Sequence, residues 1–518
     1  MDKKDALPPN PNSNRTLECS TLEVPMDQFN ATRSGDKTFN LALIRLRSPN
    51  TSATTPTKNL LLNPGGPGGS GYRLLFEKGD LLQTIVGSGF HLVSFDPRGV
   101  NRSTPAATCY PDRASRRKLS RVRSMDLVHD SPEVYAWAQN FVQACADTMG
   151  EYAAYVNTPQ TAADMNSILD ALGQDDMYYW GFSYGTLLGQ TYAGLFPERA
   201  KRVIIDGVVN QFLWYQGGFE AQSEVDTDAV LDGFFGECVK SGVKNCALAS
   251  LAESKDGLRD LVFKYMDALR DQPLSVYINN THYGLVTYDT VWYNGVLAAL
   301  YRPTRWQSLA QTLYNLIQGN ATDAFLAYTC DDSLDVTDDT ESFVILNDSP
   351  TGPAHWPQDR QSLLDTFLPY FNNTVFPATW TKIYYMRQQW RVAKTHGFVP
   401  RESVRTAHPL LILSTSYDPI CPLVAARSAA GAFVDSRIVE VLGYGHCSIA
   451  VPSVCAAKHI RGFLYEGVLL DGYTRCEVDL PYFGPSGDGE DGSAAGVEFE
   501  DEEERRIHLA QVELAKMM

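Results

Sequence analysis

The sequence predicts an α/β protein with a mostly parallel, doubly wound sheet and a helical cap inserted late in the strand order. Three observations predict it. Short apolar runs alternate with helix-like stretches from residue 39 to 210. The alternation then stops, and residues 211 to about 390 are aromatic-rich and read mainly as helix. It resumes with "HPLLILSTSYD" (408–418) and "SRIVEVLGYGHCS" (436–448).

Each element follows from its own residues. Residues 1–38, with Pro8, Pro9 and Pro11, read as an irregular N-terminal arm. "FNLALIRLRS" (39–48) has strand character, and "PNTSATTPTK" is a polar turn. "NLLLNPGGPGGSG" (59–71) begins as a buried strand and ends in a glycine loop. "FHLVSFDPRGVNRST" (90–104) is a strand followed by a turn, in which Arg98 is expected to pair with a carboxylate. "TPQTAADMNSILDALG" (158–173) is a helix opened by a capping Thr. "DMYYWGFS" is a strand, "YGTLLGQTYAGLF" a helix and "AKRVIIDGVV" (200–209) another strand. The expected organisation is a core over 39–210 and 391–484, a cap over 211–390 and an acidic tail over 485–518.

The net charge of −17 argues against nucleic acid as a partner. Nine acidic residues and no basic one lie between Asp488 and Glu504, and such a tail reads as a solvated end. The longest apolar stretch, "GLVTYDTVWYNGVLAALY", is short for a membrane span and carries Asp289 and Asn294, so no membrane insertion is expected. The N-terminus has no apolar signal-peptide region as it stands. Ten cysteines and eight sequons (Asn14, Asn30, Asn50, Asn101, Asn279, Asn320, Asn347 and Asn372) together predict a secreted or secretory-lumen glycoprotein. Without a Cys-x-x-Cys pair, a structural zinc site is not expected.

The chemistry centres on Gly181-Phe182-Ser183-Tyr184-Gly185, between a strand and a helix. A turn this tight needs minimal flanking side chains, and it lifts a serine oxygen to a helix N-terminus. Serine then needs a base and an orienting acid. Asp418 follows "LLILSTS" and His446 follows "RIVEVLG", both at strand ends and in the chain order Ser, acid, His. Asp435 and Asp331 are alternatives for the acid, less well placed. An oxyanion requires preorganised donors. The amide of Tyr184 and that of Gly66, with Gly65 next, are the candidates.

The blocks "NPGGPGGSG", "FDPRGVNRST", "GFSYGT", "STSYDPICP" and "GYGHCS" resemble α/β-hydrolases, in order and spacing. They look like the tripeptidyl-aminopeptidase-like branch of the prolyl iminopeptidase group of secreted serine peptidases, over roughly residues 19–480. The resemblance implies Ser183 as nucleophile, His446 as general base and Asp418 as orienter, acting without metal or cofactor. "LECSTLEVPMD" and "FFGECVKSGVKNCAL" resemble that branch's N-terminal signature and cap cysteine pair. Proximity and resemblance together suggest disulfides Cys238–Cys246, Cys447–Cys455 and Cys109–Cys145. The glycine loop opens with Asn63 rather than the His of the iminopeptidases proper, and their amine-binding glutamate motif is missing. Glu220, Asp331 and Asp332 are the candidate acids for a substrate N-terminus. The leading expectation is an exopeptidase that releases residues from the N-termini of short peptides. An esterase or amidase for a small natural product, and a non-catalytic binding protein, are the alternatives.

Overall fold

The computed structural model describes residues 17–49, 57–329, 337–371, 373–484 and 497–517. Its strands are β1 (Leu17–Pro25), β2 (Thr38–Leu46), β3 (Lys58–Asn63), β4 (Phe90–Phe95), β5 (Met177–Phe182), β6 (Ala200–Asp206), β7 (Leu274–Asn279), β8 (His282–Val286), β9 (Leu411–Tyr417), β10 (Arg437–Tyr444) and β11 (Thr474–Glu477). Nine of them form one sheet in the order β1-β2-β4-β3-β5-β6-β9-β10-β11. The β1–β2 and β2–β4 pairs are antiparallel, and every later pair is parallel.

Both faces of the sheet are covered, which explains the continuous apolar runs of its central strands. Alternate residues enter opposite cores. Leu61 and Tyr179 pack on one face. Leu60, Leu62, Tyr178 and Trp180 pack on the other. The chain runs from β3 outward to β4, then returns to place β5 on the opposite side of β3. The order in which strands are added therefore reverses between β3 and β5 although the strands stay parallel, and open α/β sheets bind ligands at that crevice.

Between β6 and β9 the chain leaves the sheet and builds a layer with its own core, including Phe234, Trp292, Trp306 and Phe376. The layer is mostly helical, but β7 and β8 form a hairpin in it, and Thr290–Leu297 winds as a π-helix.

Several sequence expectations change. The N-terminal arm is not irregular throughout: β1 pairs with β2 along its whole length. The acidic tail is not simply solvated. Its helix Glu502–Met517 buries Ile507, His508 and Leu514 against the helix Gly71–Val86 and the turn Ser448–Ala450. The helix alternates charged and apolar faces, and the count of acids hid the apolar one. Disulfides join Cys109–Cys145, Cys238–Cys246 and Cys455–Cys476. The expected Cys447–Cys455 bridge is absent. Cys447 turns inward, with its thiol 3.3 Å from the Asp206 carbonyl oxygen, whereas Cys455 faces β11. Asn347 is buried and hydrogen-bonded to Ala153, Val156 and Trp390, so it is no glycan acceptor in the folded chain. Asn14, Asn50 and Asn372 lie outside the described residues. Arg98 meets both oxygens of buried Asp164, at 2.6 and 2.7 Å, as a bidentate pair.

Candidate active site

Strand β5 delivers Ser183 at the sheet edge, as the N-cap of the helix Tyr184–Leu195. Ser183 has φ 55° and ψ −126°, a conformation that non-glycine residues rarely hold without support. The support is local. The Ser183 N–H donates to the Asp206 carbonyl at 3.0 Å. The Thr186 hydroxyl donates to the Ser183 carbonyl at 2.6 Å. The flanking glycines are sterically required. A Cβ on Gly181 would lie 2.4 Å from the Gly185 carbonyl oxygen, and one on Gly185 would lie 2.9 Å from that of Asn63.

Asp418 follows β9, and His446 lies in the loop after β10. Asp418 is fully buried and accepts from the imidazole Nδ1 of His446, at 2.9 Å to Oδ1 and 3.0 Å to Oδ2. Backbone N–H groups of Ile420, Cys421 and Cys447 complete its shell at 2.8–3.0 Å. With a carboxylate as partner, Nδ1 carries the hydrogen and Nε2 presents its lone pair. The cap also fixes this loop: the His446 N–H donates to the Tyr301 carbonyl at 3.0 Å.

The glycine loop after β3 packs on the serine turn. The Asn63 side-chain oxygen accepts the Gly65 N–H at 2.9 Å. A Cβ on Gly65 would stand 2.9 Å from the Ser183 Cβ and 3.0 Å from the Tyr184 nitrogen, so any side chain there would crowd the space in front of that amide. Tyr184 opens its helix, and its N–H has no acceptor within the helix. Gly66 and Tyr184 line a small cavity of about 50 Å³ beside Ser183, with Trp214, Phe219 and Ile420 as apolar walls. The helix dipole makes this end a favourable place for negative charge.

Four residues near the site escaped sequence reasoning. Asp206 ends β6 and accepts from the Ser448 backbone N–H at 2.7 Å and its hydroxyl at 2.6 Å. Burial pushes its pKa up to about 6. Its backbone holds Ser183 and its side chain holds the histidine loop, so it ties the two together. Its position after "RVII" parallels that of Asp418, a signal available in the sequence. Cys421 lies within hydrogen-bond reach of the Ser183 hydroxyl, and burial raises its pKa well above the usual thiol value. Burial therefore favours the protonated thiol over the thiolate. Tyr301 carries no local signal for its role. Glu224 is buried, and its pKa is pushed up to about 8 by burial and by the nearby Asp228 and Glu220. Among the described residues its Oε1 has no hydrogen-bond partner. It follows Gln222 and Ser223, which line the serine cavity, and interacts with Thr379 beside cavity-lining Trp380.

The expected substrate acids fare differently. Glu220 is buried and ion-paired with Arg387, so Arg387 already takes the charge that a substrate amine would need. Asp331 and Asp332 lie outside the described residues. Asp418, Cys421 and His446 offer ligand atoms within 4.8 Å of one another. The Asp418 oxygens are already engaged by the three backbone amides and the imidazole.

Residues 58–243, with the glycine loop and Ser183, match the α/β-hydrolase fold family. Residues 373–476, with Asp418 and His446, match a family described as TAP-like protein. The chain is an α/β hydrolase. It is 28% identical over 489 residues to serine protease Hip1 of Mycobacterium tuberculosis, covering 88% of this chain and 87% of that protein. It is 27% identical over 479 residues to carboxylesterase B of the same species, covering 89% of this chain and 86% of the relative. Against a tripeptidyl aminopeptidase of Streptomyces lividans it is 29% identical over 266 residues, half of this chain and 47% of the relative. No helix among the described residues of this hydrolase is long and apolar enough to cross a membrane.

Proposed function

We propose that this hydrolase is a serine exopeptidase that releases residues from peptide N-termini, with Ser183, His446 and Asp418 as its triad. The observation that carries the reading is the buried Asp418 carboxylate gripping His446 through Nδ1, next to a serine held at positive φ on a helix N-terminus. In this reading Nε2 of His446 takes the Ser183 proton as the oxygen attacks the substrate carbonyl. The amides of Gly66 and Tyr184 hold the resulting oxyanion. His446 then gives the proton to the departing amine. Water, activated by the same histidine, releases the acyl group and restores Ser183. Asp418 keeps its hydrogen bond to Nδ1 throughout and stabilises the imidazolium.

Glu224 supplies what an aminopeptidase requires beyond a triad. Among the described residues its Oε1 and the Trp380 Nε1 have no hydrogen-bond partner, and they offer a buried carboxyl oxygen and a donor in the layer over Ser183. A substrate ammonium would satisfy the first and a substrate carbonyl the second. The relatives named serine protease and tripeptidyl aminopeptidase point the same way. The apolar walls beside Ser183 and the relative named carboxylesterase B favour ester hydrolysis as a second reading. The three disulfides, with exposed sequons at Asn30, Asn279 and Asn320, support a secreted glycoprotein.

A fluorophosphonate probe tests the core of this reading: it labels the wild type and not Ser183→Ala. An unlabelled wild type would sink it. Amino-terminal arylamides assayed beside p-nitrophenyl esters then separate peptidase from esterase. Ester turnover without arylamide turnover favours the second reading.

A further inference from the structure

The glycine loop has two sides. One faces the serine cavity through Gly66, and the other, through Gly68 and Gly69, faces a groove of about 620 Å³. Arg73 and Lys78 of the helix Gly71–Val86 line one wall, and Arg302 and Arg305 of the cap line another. Glu77 is the carboxylate lining this groove, and it pairs with Arg73 at 2.7 Å. Among the described residues, Arg302 and Arg305 have no carboxylate partner. Burial and the charge of Arg305 pull the Arg302 pKa down to about 10. A cleft whose lining carries a surplus of one sign of charge concentrates ligands of the other.

We infer that this groove receives an anionic carboxylate on the leaving-group side of the substrate. The inference rests on the peptidase reading above and names the substrate class more closely. Connectivity sets the side. Tyr301, immediately before Arg302, holds the backbone of His446. Pro303 stands where a Cβ on Gly445 would meet it at 2.8 Å, so the cap segment lies against the histidine loop. His446 is the group that protonates the departing amine, so the leaving fragment departs beside that loop. The walls next to Ser183 are apolar, whereas the groove at the histidine side is cationic. A short peptide with a free C-terminus, or one with an acidic residue after the cleaved bond, satisfies both.

Three peptides of equal length test it: a tetra-alanine free acid, its C-terminal amide, and an amide carrying Glu just after the scissile bond. The readout is the ratio of kcat/KM for each anionic peptide to that of the neutral amide, at low ionic strength. We expect a ratio of about five or more for at least one anionic peptide. A gain for the free acid assigns the α-carboxylate, and a gain confined to the Glu peptide assigns the side chain. The ratio should fall toward one in Arg302→Gln and, in the wild type, as salt shortens the screening length. If the variant does not fold, the salt titration decides. Equal cleavage of all three peptides, or a ratio insensitive to both salt and substitution, overturns the groove and leaves the peptidase reading standing. Cleavage of none overturns both.

Discussion

The sheet edge and the layer that covers it obey different rules. At the edge, each candidate residue sits at the end of a strand or one step past it: Ser183 after β5, Asp206 as the last residue of β6, Asp418 after β9. In the covering layer, Glu224, Tyr301 and Trp380 come from separate segments and meet only through packing. The edge is built by local sterics and the cover by distant contacts. On the proposed function, chemistry is set at the edge and the choice of substrate is left to the cover.

The largest expected effect lies at the edge. Asp418→Asn keeps the shape but not the charge, and its amide would point a donor at Nδ1 or at a backbone N–H. Turnover should fall about a thousandfold or more, as expected when the imidazole loses its tautomer and its counter-charge. Steady-state rates with an activated ester check it. A fall of less than tenfold would mean that His446 is oriented by another group.

A second test concerns what fastens the edge from behind. Leu514, in the C-terminal helix, is fully buried in the same core as Leu75 and Leu82. Leu514→Ala should cost about 2–4 kcal/mol of stability, measured by denaturant unfolding. A neutral result would restore the view of this segment as a solvated appendage.

The contrast also explains what was legible in the sequence. "GFSYGT" could be read because its glycines answer to atoms a few residues away: Gly181 is crowded by Gly185, and Gly185 by Asn63. Asp418 and His446 could be read because strand ends show in apolar runs. Cys447 could not, since nearness to Cys455 in sequence says nothing of which way a side chain turns. Glu220 and Glu224 lie on adjacent turns and look alike in sequence. Only the distant Arg387 distinguishes them, by neutralising the first and leaving the second.

That difference makes Glu224 the sharper probe of the cover. Its pKa of about 8 means that at neutral pH the folded chain holds a proton which the unfolded chain has released. Its burial therefore costs stability progressively as pH rises from the ordinary carboxylate range to about 8. Glu224→Gln should remove that slope, raising Tm relative to wild type by a few degrees at pH 8 but not at pH 4.5. For substrates with a free α-amine, the variant should raise KM about tenfold or more, since binding of the ammonium expels the Glu224 proton to solvent and forms a buried charge pair that glutamine cannot make. An N-acylated ester should not register the change. An equal loss on both substrates would place Glu224 in the scaffold rather than in recognition.

The smallest expected effect is at Cys421, and its smallness is informative. The thiol shares a cavity with Ser183, so a cysteine mechanism is the natural rival to a serine one. Two features weigh against that rival. Burial and the charge of Asp418 hold the thiol protonated. The strained turn and the helix N-terminus belong to Ser183. Cys421→Ser keeps a small hydrogen-bonding side chain beside Ser183, so turnover should stay within about threefold of wild type. Iodoacetamide should leave the wild type active over minutes, because alkylation proceeds through the thiolate. Rapid inactivation that Cys421→Ser abolishes would show a reactive thiol at the centre, and the division between a rigid chemical edge and a selective cover would then need redrawing around that residue.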